Sequence, residues 1–336
     1  MKMKAPKFWN SKTKLSTLLS LILVPFSWLY YLVGRLLYGR IKPEKLPVPV
    51  ICVGNISVGG AGKTPVALYI GELVKNKGVN TFFISRGYGG SQKSAIRVDA
   101  DIHGAELVGD EPLLLAEILP TIIGKNRLEV AKFAIEQGAE LIIMDDGLQN
   151  PSIEKDLSFI VTDRRLGFGN ERLLPAGPLR EPVAAGLNKA DAVIIVNPAN
   201  FIPTAMPDTS MLIARSKAKD SMLALKGKRI IAFCGIAVPT KFFDMLREVG
   251  ADIIRAVDYP DHYPYKEKDL LFLFREAKKH NAELVTTSKD AARMKKQFKQ
   301  EMESIKIAEM ELIFENKAHL EELIEDILPE KNDKKN

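Results

Sequence analysis

The stretch that most restricts this chain is Val48-Pro49-Val50-Ile51-Cys52-Val53 followed within a few residues by "SVGGAGKTP", 57 to 65. A buried strand, a glycine-rich turn and a helix opening at Pro65 form the first half of a βαβ unit, which commits the rest of the domain to a mostly parallel sheet. A full phosphate-cradling loop has Gly, four residues, then Gly-Lys-Ser/Thr. Here Gly62-Lys63-Thr64 is intact, but the first glycine is replaced by Ser57. Gly59, Gly60 and Gly62 still supply the freedom that turns backbone N–H groups onto anionic oxygens. The loop, Ser57, Val58, Gly59, Gly60, Ala61, Gly62, Lys63 and Thr64, is expected to bind a nucleoside triphosphate, with Lys63 on the β/γ-phosphates and Thr64 on Mg²⁺. The alternative is a glycine-rich turn with no ligand.

From residue 47 onward strand-like and helical patterns alternate: "TPVALYIGELVKNKG" reads as a helix ended by Gly78, and "NTFFISRG", "AELIIMDDG", "DLSFIVTD" and "ADAVIIVNP" as strands. Around residue 222 the alternation restarts with "KRIIAFCGI" and "PTKFFDMLREVG". The fold class expected is α/β: a P-loop domain over 45–221 with a mostly parallel sheet, a smaller α/β domain over 222–328, and a disordered tail over 329–336. Residues 1–40 form a separate basic and apolar segment.

In that segment residues 15–33 carry no charge between Lys14 and Arg35. At about 1.5 Å per residue they span about 28 Å, close to the ~30 Å of a hydrocarbon core. Trp28, Tyr30 and Tyr31 crowd one end as interfacial aromatics do. A cleaved leader is disfavoured because "YLVGRLLYGR" offers a poor small-residue cleavage site. A membrane anchor, spanning or lying in the interface, is expected; a helix buried in its own protein is the alternative. Of 48 basic residues eight, six lysines and two arginines, precede the first acid, Glu44, so much of the +6 net charge is N-terminal and points to a membrane surface. Nucleic acid is not expected, since basic and aromatic residues do not interleave. Cys52 and Cys234, the two cysteines, read as buried small hydrophobes in a reducing compartment. No obligate protein partner is evident.

Four further stretches carry chemistry. "LIIMDD" brings Asp145 and Asp146 to the carboxyl edge of a strand, where such acids hold Mg²⁺; alternating geometry gives the two different tasks. Asp110 and Glu111 open a helix, where capping is the plain reading. His262 lies in the proline-bounded "PDHYPY" loop after a strand, unlike the three other histidines. "SRGYGG" and "GNERLLPAGPLREP" are long loops carrying Arg86, Asn170, Glu171, Arg180 and Glu181; the first four are candidates for substrate binding, the arginines through bidentate phosphate contacts. "TTSKD" is too weak a match to a base-reading motif to support guanine specificity.

Together "VGNISVGGAGKTP", "ISRGYGG", "VGDEPLLLA", "DDGLQN", "GFGNERLLPAGPLREP", "PDHYPY" and "TTSKDAARM", in this order, resemble the tetraacyldisaccharide 4'-kinase family, the lipid A 4'-kinases of Gram-negative bacteria. The resemblance covers residues 50 to 295 and includes the missing first glycine. It implies transfer of the ATP γ-phosphate to the 4'-hydroxyl of a membrane-embedded tetraacylated disaccharide 1-phosphate at the cytoplasmic face of the inner membrane. It also implies a catalytic dyad of Asp110 and His262, with Lys63, Thr64, Asp145 and Asp146 serving ATP and Mg²⁺. Which member of the dyad is the base stays open. Two positions depart from the family: Asn150 replaces a histidine, and Gly90 a basic residue. Because this division puts Asp110 and His262 in different domains, a hinge bringing them together on ATP binding is an expectation. Two other classes compete, a membrane-associated nucleotide switch and a soluble small-molecule kinase.

Overall fold

The computed structural model describes residues 6–9, 11, 13–59, 62–163, 167–198 and 210–329. Gly60 and Ala61 of the loop, and the tail from 330 onward, lie outside the described residues. The strands, in chain order, are β1 (Val50–Gly54), β2 (Thr81–Ser85), β3 (Ile96–Arg97), β4 (Thr121–Ile123), β5 (Leu141–Asp145), β6 (Leu157–Asp163), β7 (Ala192–Val196), β8 (Ser210–Ala218), β9 (Arg229–Cys234), β10 (Asp252–Asp258), β11 (Glu283–Thr287), β12 (Ile305–Ala308) and β13 (Met310–Phe314).

The chain divides into two compact units that are discontinuous in sequence: Met1–Arg86, Gly124–Arg215 and Leu312–Asn336 in the first, Gly87–Ile123 and Ser216–Glu311 in the second. The contiguous division at 221/222 differs from these units in three segments: 87–123 and 216–221 fall in the second unit, and 312–328 in the first. Residues 87–123 go to the second unit because Val98, Val108, Leu113, Leu114 and Ile123 bury themselves together with Ala292. The C-terminal segment returns to the first unit, where Phe314 packs on Tyr69 with ring centroids 4.7 Å apart and the Glu315 N–H donates to the Ile213 carbonyl.

In the first unit the strands run in the order β13-β8-β7-β6-β1-β5-β2. From β8 to β2 every neighbouring pair is parallel. Val50, Ile51, Cys52 and Val53 are fully buried, as β-branched and apolar runs covered on both faces must be. The chain leaves β1 through the helix Lys63–Asn76 toward β2, while β6, β7 and β8 build on the other side of β1. That reversal of direction opens a crevice beyond the carboxyl end of β1, where ligands of such sheets bind. β8 is a strand the sequence pattern does not announce: its residues alternate only partly between buried and exposed.

The second unit has a parallel sheet in the order β10-β9-β11-β12. Period-two alternation along β9 feeds two cores. Ile230, Ala232 and Cys234 pack with Phe242, Phe243 and Leu246 of the helix Pro239–Glu248. Ile231 and Phe233 pack with Leu270 and Leu273 of the helix Glu267–His280.

The apolar N-terminal stretch is a single helix, Lys14–Tyr38, capped by the Thr13 side chain and continuous through Pro25. Among the described residues it is the one helix long and apolar enough to cross a membrane, and only 11% of its most apolar window is buried. That low burial excludes a helix wholly enclosed by its own protein. The buried face is polar: Ser20 and Ser27, two turns apart, are its buried residues. Ser20 Oγ donates to the Ala176 carbonyl at 2.6 Å, and Ser27 Oγ donates to the Leu173 carbonyl at 2.8 Å. Leu18, Leu21, Ile22, Phe26, Trp28 and Leu29 remain exposed.

Candidate active site

The phosphate-loop site of the first unit is built where β1 ends. Ser57 needs no glycine conformation, because it sits in an extended antiparallel bridge with Leu179. Its neighbours are fixed in the same way: the Val58 N–H donates to the Pro178 carbonyl at 2.8 Å, and the Arg180 N–H to the Ile56 carbonyl at 2.7 Å. The first turn is thus shaped by the "PAGPLR" loop rather than by a glycine, and the Val58 N–H is already engaged there. Flexibility is concentrated later, at Gly59 (φ 134°) and at Gly62 (φ 87°), the residue that opens the helix carrying Lys63 and Thr64.

The two acids at the carboxyl end of β5 take different partners, although strand geometry stops at Asp145. Asp145 is buried, with Thr64 Oγ1 3.5 Å from its Oδ2. Asp146 adopts φ 52° and turns toward cations. Lys63 Nζ lies 3.6 Å from its Oδ1, while Arg180 donates to Oδ1 at 3.1 Å and to Oδ2 at 3.3 Å. Burial opposes the charge on Asp146, but Lys63 and Arg180 outweigh it and hold the carboxyl below its ordinary value. Arg180 also donates to Gln149 Oε1, whose amide nitrogen in turn donates to the Asn55 carbonyl and to Glu181. Gln149, Glu181 and Arg127 belong to this cluster although the sequence alone assigns none of them a role. Arg127 is buried; burial pulls its pKa down to about 10, against the attraction of Asp145 and Asp146, and leaves it a cation at neutral pH. An arginine at the first position of a helix capped by Asn126 was the available signal.

A magnesium ion carried by a nucleotide takes most of its ligands from phosphate and water. Thr64 and Asp145 offer a hydroxyl and a carboxylate, hard oxygen donors of the kind that ion needs, so the residues fit. Asp146, already held by two cations, is the poorer ligand.

The other expected binding residues are spread out. Arg86 is exposed just beyond β2, and Glu171 is exposed in a left-handed turn with φ 57°. Asn170 is already occupied: its amide nitrogen donates to Ser20 Oγ on the helix Lys14–Tyr38 and to the Ala176 carbonyl of its own loop, both at 3.0 Å. Asn150 accepts from the Ser152 N–H and hydroxyl and so fixes a turn.

The second unit contains its own cluster of candidate residues. Gly109 opens the helix Asp110–Ile118 with φ 88°, and a Cβ there would meet the Tyr88 carbonyl at 2.5 Å. No side chain caps this helix, which overturns the capping role for Asp110. Its carboxylate instead accepts from His262 Nδ1 at 2.6 Å and from Arg293 Nη2 at 2.6 Å, both on Oδ2. Burial opposes ionisation of Asp110, and His262 and Arg293 overcome it, holding the carboxyl well below the usual range. An ionised carboxylate only accepts, so Nδ1 carries a proton, and in the neutral ring Nε2 is the atom that presents a lone pair. Asp261 Oδ2 lies 3.6 Å from Nε2. His262 itself has φ 58°, with its N–H donating to the Gly235 carbonyl. Asp110 and His262 share one compact unit and are already bonded, so no hinge is needed to join them.

The sequence model of the family described as tetraacyldisaccharide-1-P 4'-kinase matches residues 19–329. The chain is 43% identical over 301 residues to the tetraacyldisaccharide 4'-kinase of Parvibaculum lavamentivorans, covering 87% of each chain. It is 39% identical over 329 residues to that of Gluconobacter oxydans, covering 97% of this chain and 98% of the relative. Among solved structures it is similar to LpxK from Aquifex aeolicus in complex with ATP, with a TM-score of 0.75 and 29% identity over 93% of this chain and all of that one.

Proposed function

The chain belongs to the tetraacyldisaccharide-1-P 4'-kinase family, and we propose that it performs the family's reaction with Lys63 and Thr64 on the nucleotide side and the Asp110–His262 pair on the acceptor side. It is an ATP-dependent kinase that phosphorylates the 4'-hydroxyl of tetraacyldisaccharide 1-phosphate in lipid A biosynthesis. That assignment displaces both the nucleotide switch and the small-molecule kinase.

A sugar hydroxyl must lose a proton as it attacks. His262 Nε2 takes the proton, Asp110 holds the ring through Nδ1–H, and Asp261 favours the imidazolium that results. The new bond joins the 4'-oxygen to the γ-phosphorus, and the bond from that phosphorus to the β–γ bridging oxygen breaks to release ADP. Lys63 neutralises charge developing on the transferred group, and Arg180 keeps Asp146 and Gln149 in place beside it. Thr64 and Asp145 would hold a magnesium ion, which supplies further charge neutralisation on the phosphates. Arg86 and Glu171, both exposed, are assigned to the acceptor, and Asn170 to shaping the loop that carries Arg180.

The observation that carries the dyad assignment is the 2.6 Å contact between His262 Nδ1 and a carboxylate 152 residues away in sequence. Loss of a general base costs about 10²–10⁴ in turnover, so Asp110→Ala and His262→Ala should each lower kcat by that order. Turnover within a few-fold of wild type in either variant would refute the dyad.

We also assign the protein to the cytoplasmic face of the inner membrane. The exposed apolar side chains of the helix Lys14–Tyr38 support this, and anchoring there confines the search for a lipid acceptor to two dimensions. Recovery of the full chain in the soluble fraction without detergent would contradict it.

A further inference from the structure

Arg293 belongs to "TTSKDAARM", a stretch that the phosphoryl-transfer chemistry leaves without a role. Its guanidinium touches both halves of the dyad. Nη2 donates to Asp110 Oδ2 at 2.6 Å. Nη1 donates to the Gly235 carbonyl at 2.7 Å, and that same carbonyl accepts the backbone N–H of His262 at 3.0 Å. One prong of the fork therefore holds the acid, and the other holds the backbone atom that pins the histidine in its left-handed conformation.

The fork is itself fixed. Nη1 also donates to Asp290 Oδ1 at 2.6 Å, and Asp290 is fully buried. Asp290 accepts in addition from the Gly235 N–H, the Tyr265 hydroxyl and the Thr287 hydroxyl. Tyr265 closes the loop that carries His262, and Thr287 caps the helix that carries Arg293. The Arg293 side chain is 5% exposed. A planar fork gripping three acceptors in a dry site is a task lysine cannot copy.

The charges add a second argument. Asp110 and Asp290 each carry one negative charge and Arg293 one positive, leaving the buried cluster with one net negative charge. The charged and titratable groups facing the imidazole are Asp110 and Arg293 from the two helices, Asp261 from its own loop, and Tyr88, whose ring lies 6.3 Å away. Lys289 and Glu111, on the same two helices, pair with each other at 2.9 Å. With Arg293 present, a neutral imidazole sees one net negative charge from that cluster; without it, two.

We propose that Arg293 is a positioning residue for phosphoryl transfer, clamping Asp110 and the His262 backbone together and limiting the negative charge that faces the imidazole. This rests on the reading that Asp110 and His262 handle the proton.

The test compares kcat against pH, and KM for ATP, in the detergent-solubilised full chain for wild type, Arg293→Gln, Arg293→Lys, Asp110→Ala and His262→Ala. Misplacing a catalytic group by about 1 Å costs on the order of 10²-fold. Arg293→Gln should therefore lose about 10- to 100-fold in kcat with KM for ATP nearly unchanged. The acidic limb of its kcat profile should move up by about one pH unit, because the carboxylates then act on the imidazole unopposed. Arg293→Lys should keep the limb in place and still lose kcat, having charge without the fork. A Gln variant with wild-type kcat, or with reduced kcat and an unmoved limb, overturns the proposal. If the Gln variant does not melt cooperatively, the Lys variant decides, and a wild-type kcat there overturns it. Inactive Asp110→Ala and His262→Ala beside a wild-type Gln variant would refute the role of Arg293 alone. Active alanine variants would refute the dyad itself.

Discussion

Replacing Ser20 and Ser27 with alanine should loosen the loop that carries Arg180 without touching any group that meets the nucleotide. Ser27 Oγ is the acceptor for the buried Ala176 N–H at 3.1 Å, and Ser20 Oγ accepts from Asn170 and Arg172 at 3.0 Å each. Alanine at 27 strands a buried donor, which costs about 1–3 kcal/mol. Alanine at 20 costs about 1 kcal/mol, because Asn170 still bonds the Ala176 carbonyl and Arg172 can turn to solvent. The pair together removes about 2–4 kcal/mol of local stability, or about a 30- to 700-fold rise in the opening equilibrium. Amide hydrogen exchange reads that directly at Gly177, Leu179 and Arg180, whose N–H groups are bonded within the loop or to Ile56. Far-UV circular dichroism in detergent should be unchanged, since the helix Lys14–Tyr38 loses no backbone bond. Turnover should fall less than in Arg180→Ala, because Arg180 is misplaced only in the opened fraction. Unchanged exchange at these amides in the double variant would show that the serine face does not hold the loop, and the reasoning would fail.

Gly109→Ala places a Cβ 2.5 Å from the Tyr88 carbonyl at a backbone φ of 88°; it should destabilise by at least about 1–3 kcal/mol and reduce turnover through Asp110, as a thermal melt and an initial-rate assay would reveal. Asp110 and Asp146 have folded-state pKa values below their unfolded ones, so the stability they contribute is complete above about pH 4 and is lost as pH falls through the folded values. The melting temperature of Asp146→Asn should accordingly fall less steeply than that of wild type between about pH 5 and pH 3. Burial pushes the thiols of Cys52 and Cys234 up to about 12, so neither should react with an aromatic disulfide reagent at neutral pH until the protein is unfolded; rapid labelling of the native protein would contradict this.

The parts legible in the sequence are those whose determinants are local. A run such as Val50 to Val53 is apolar on both faces wherever the rest of the chain goes, and Gly62-Lys63-Thr64 opens a helix by its own backbone preferences. Asp145 and Asp146 could be placed at the carboxyl end of a strand for the same reason, but β5 ends at Asp145 and Asp146 turns into a left-handed conformation, so strand alternation does not set its direction. The unreadable parts depend on partners distant in sequence. Ser57 looked like a defect in a phosphate loop until its bridge to Leu179 accounted for the missing glycine. Asp110 carried a local capping signal, and only a histidine 152 residues and an arginine 183 residues away gave it a different task. The unit boundary followed core burial around Ala292 rather than the restart of the strand and helix pattern. Ser20 and Ser27 were visible as two serines seven apart in an apolar helix, a spacing that puts both on one face, but their partners in the Leu173–Ala176 turn were not.

The most direct test of the account is transfer of labelled γ-phosphate from ATP to tetraacyldisaccharide 1-phosphate by the purified full chain in detergent, with wild type beside Lys63→Ala and His262→Ala. The account predicts labelled lipid with wild type and a loss of at least about 10²-fold in both variants. ATP hydrolysis by wild type without labelled lipid, or undiminished labelling by His262→Ala, would contradict it.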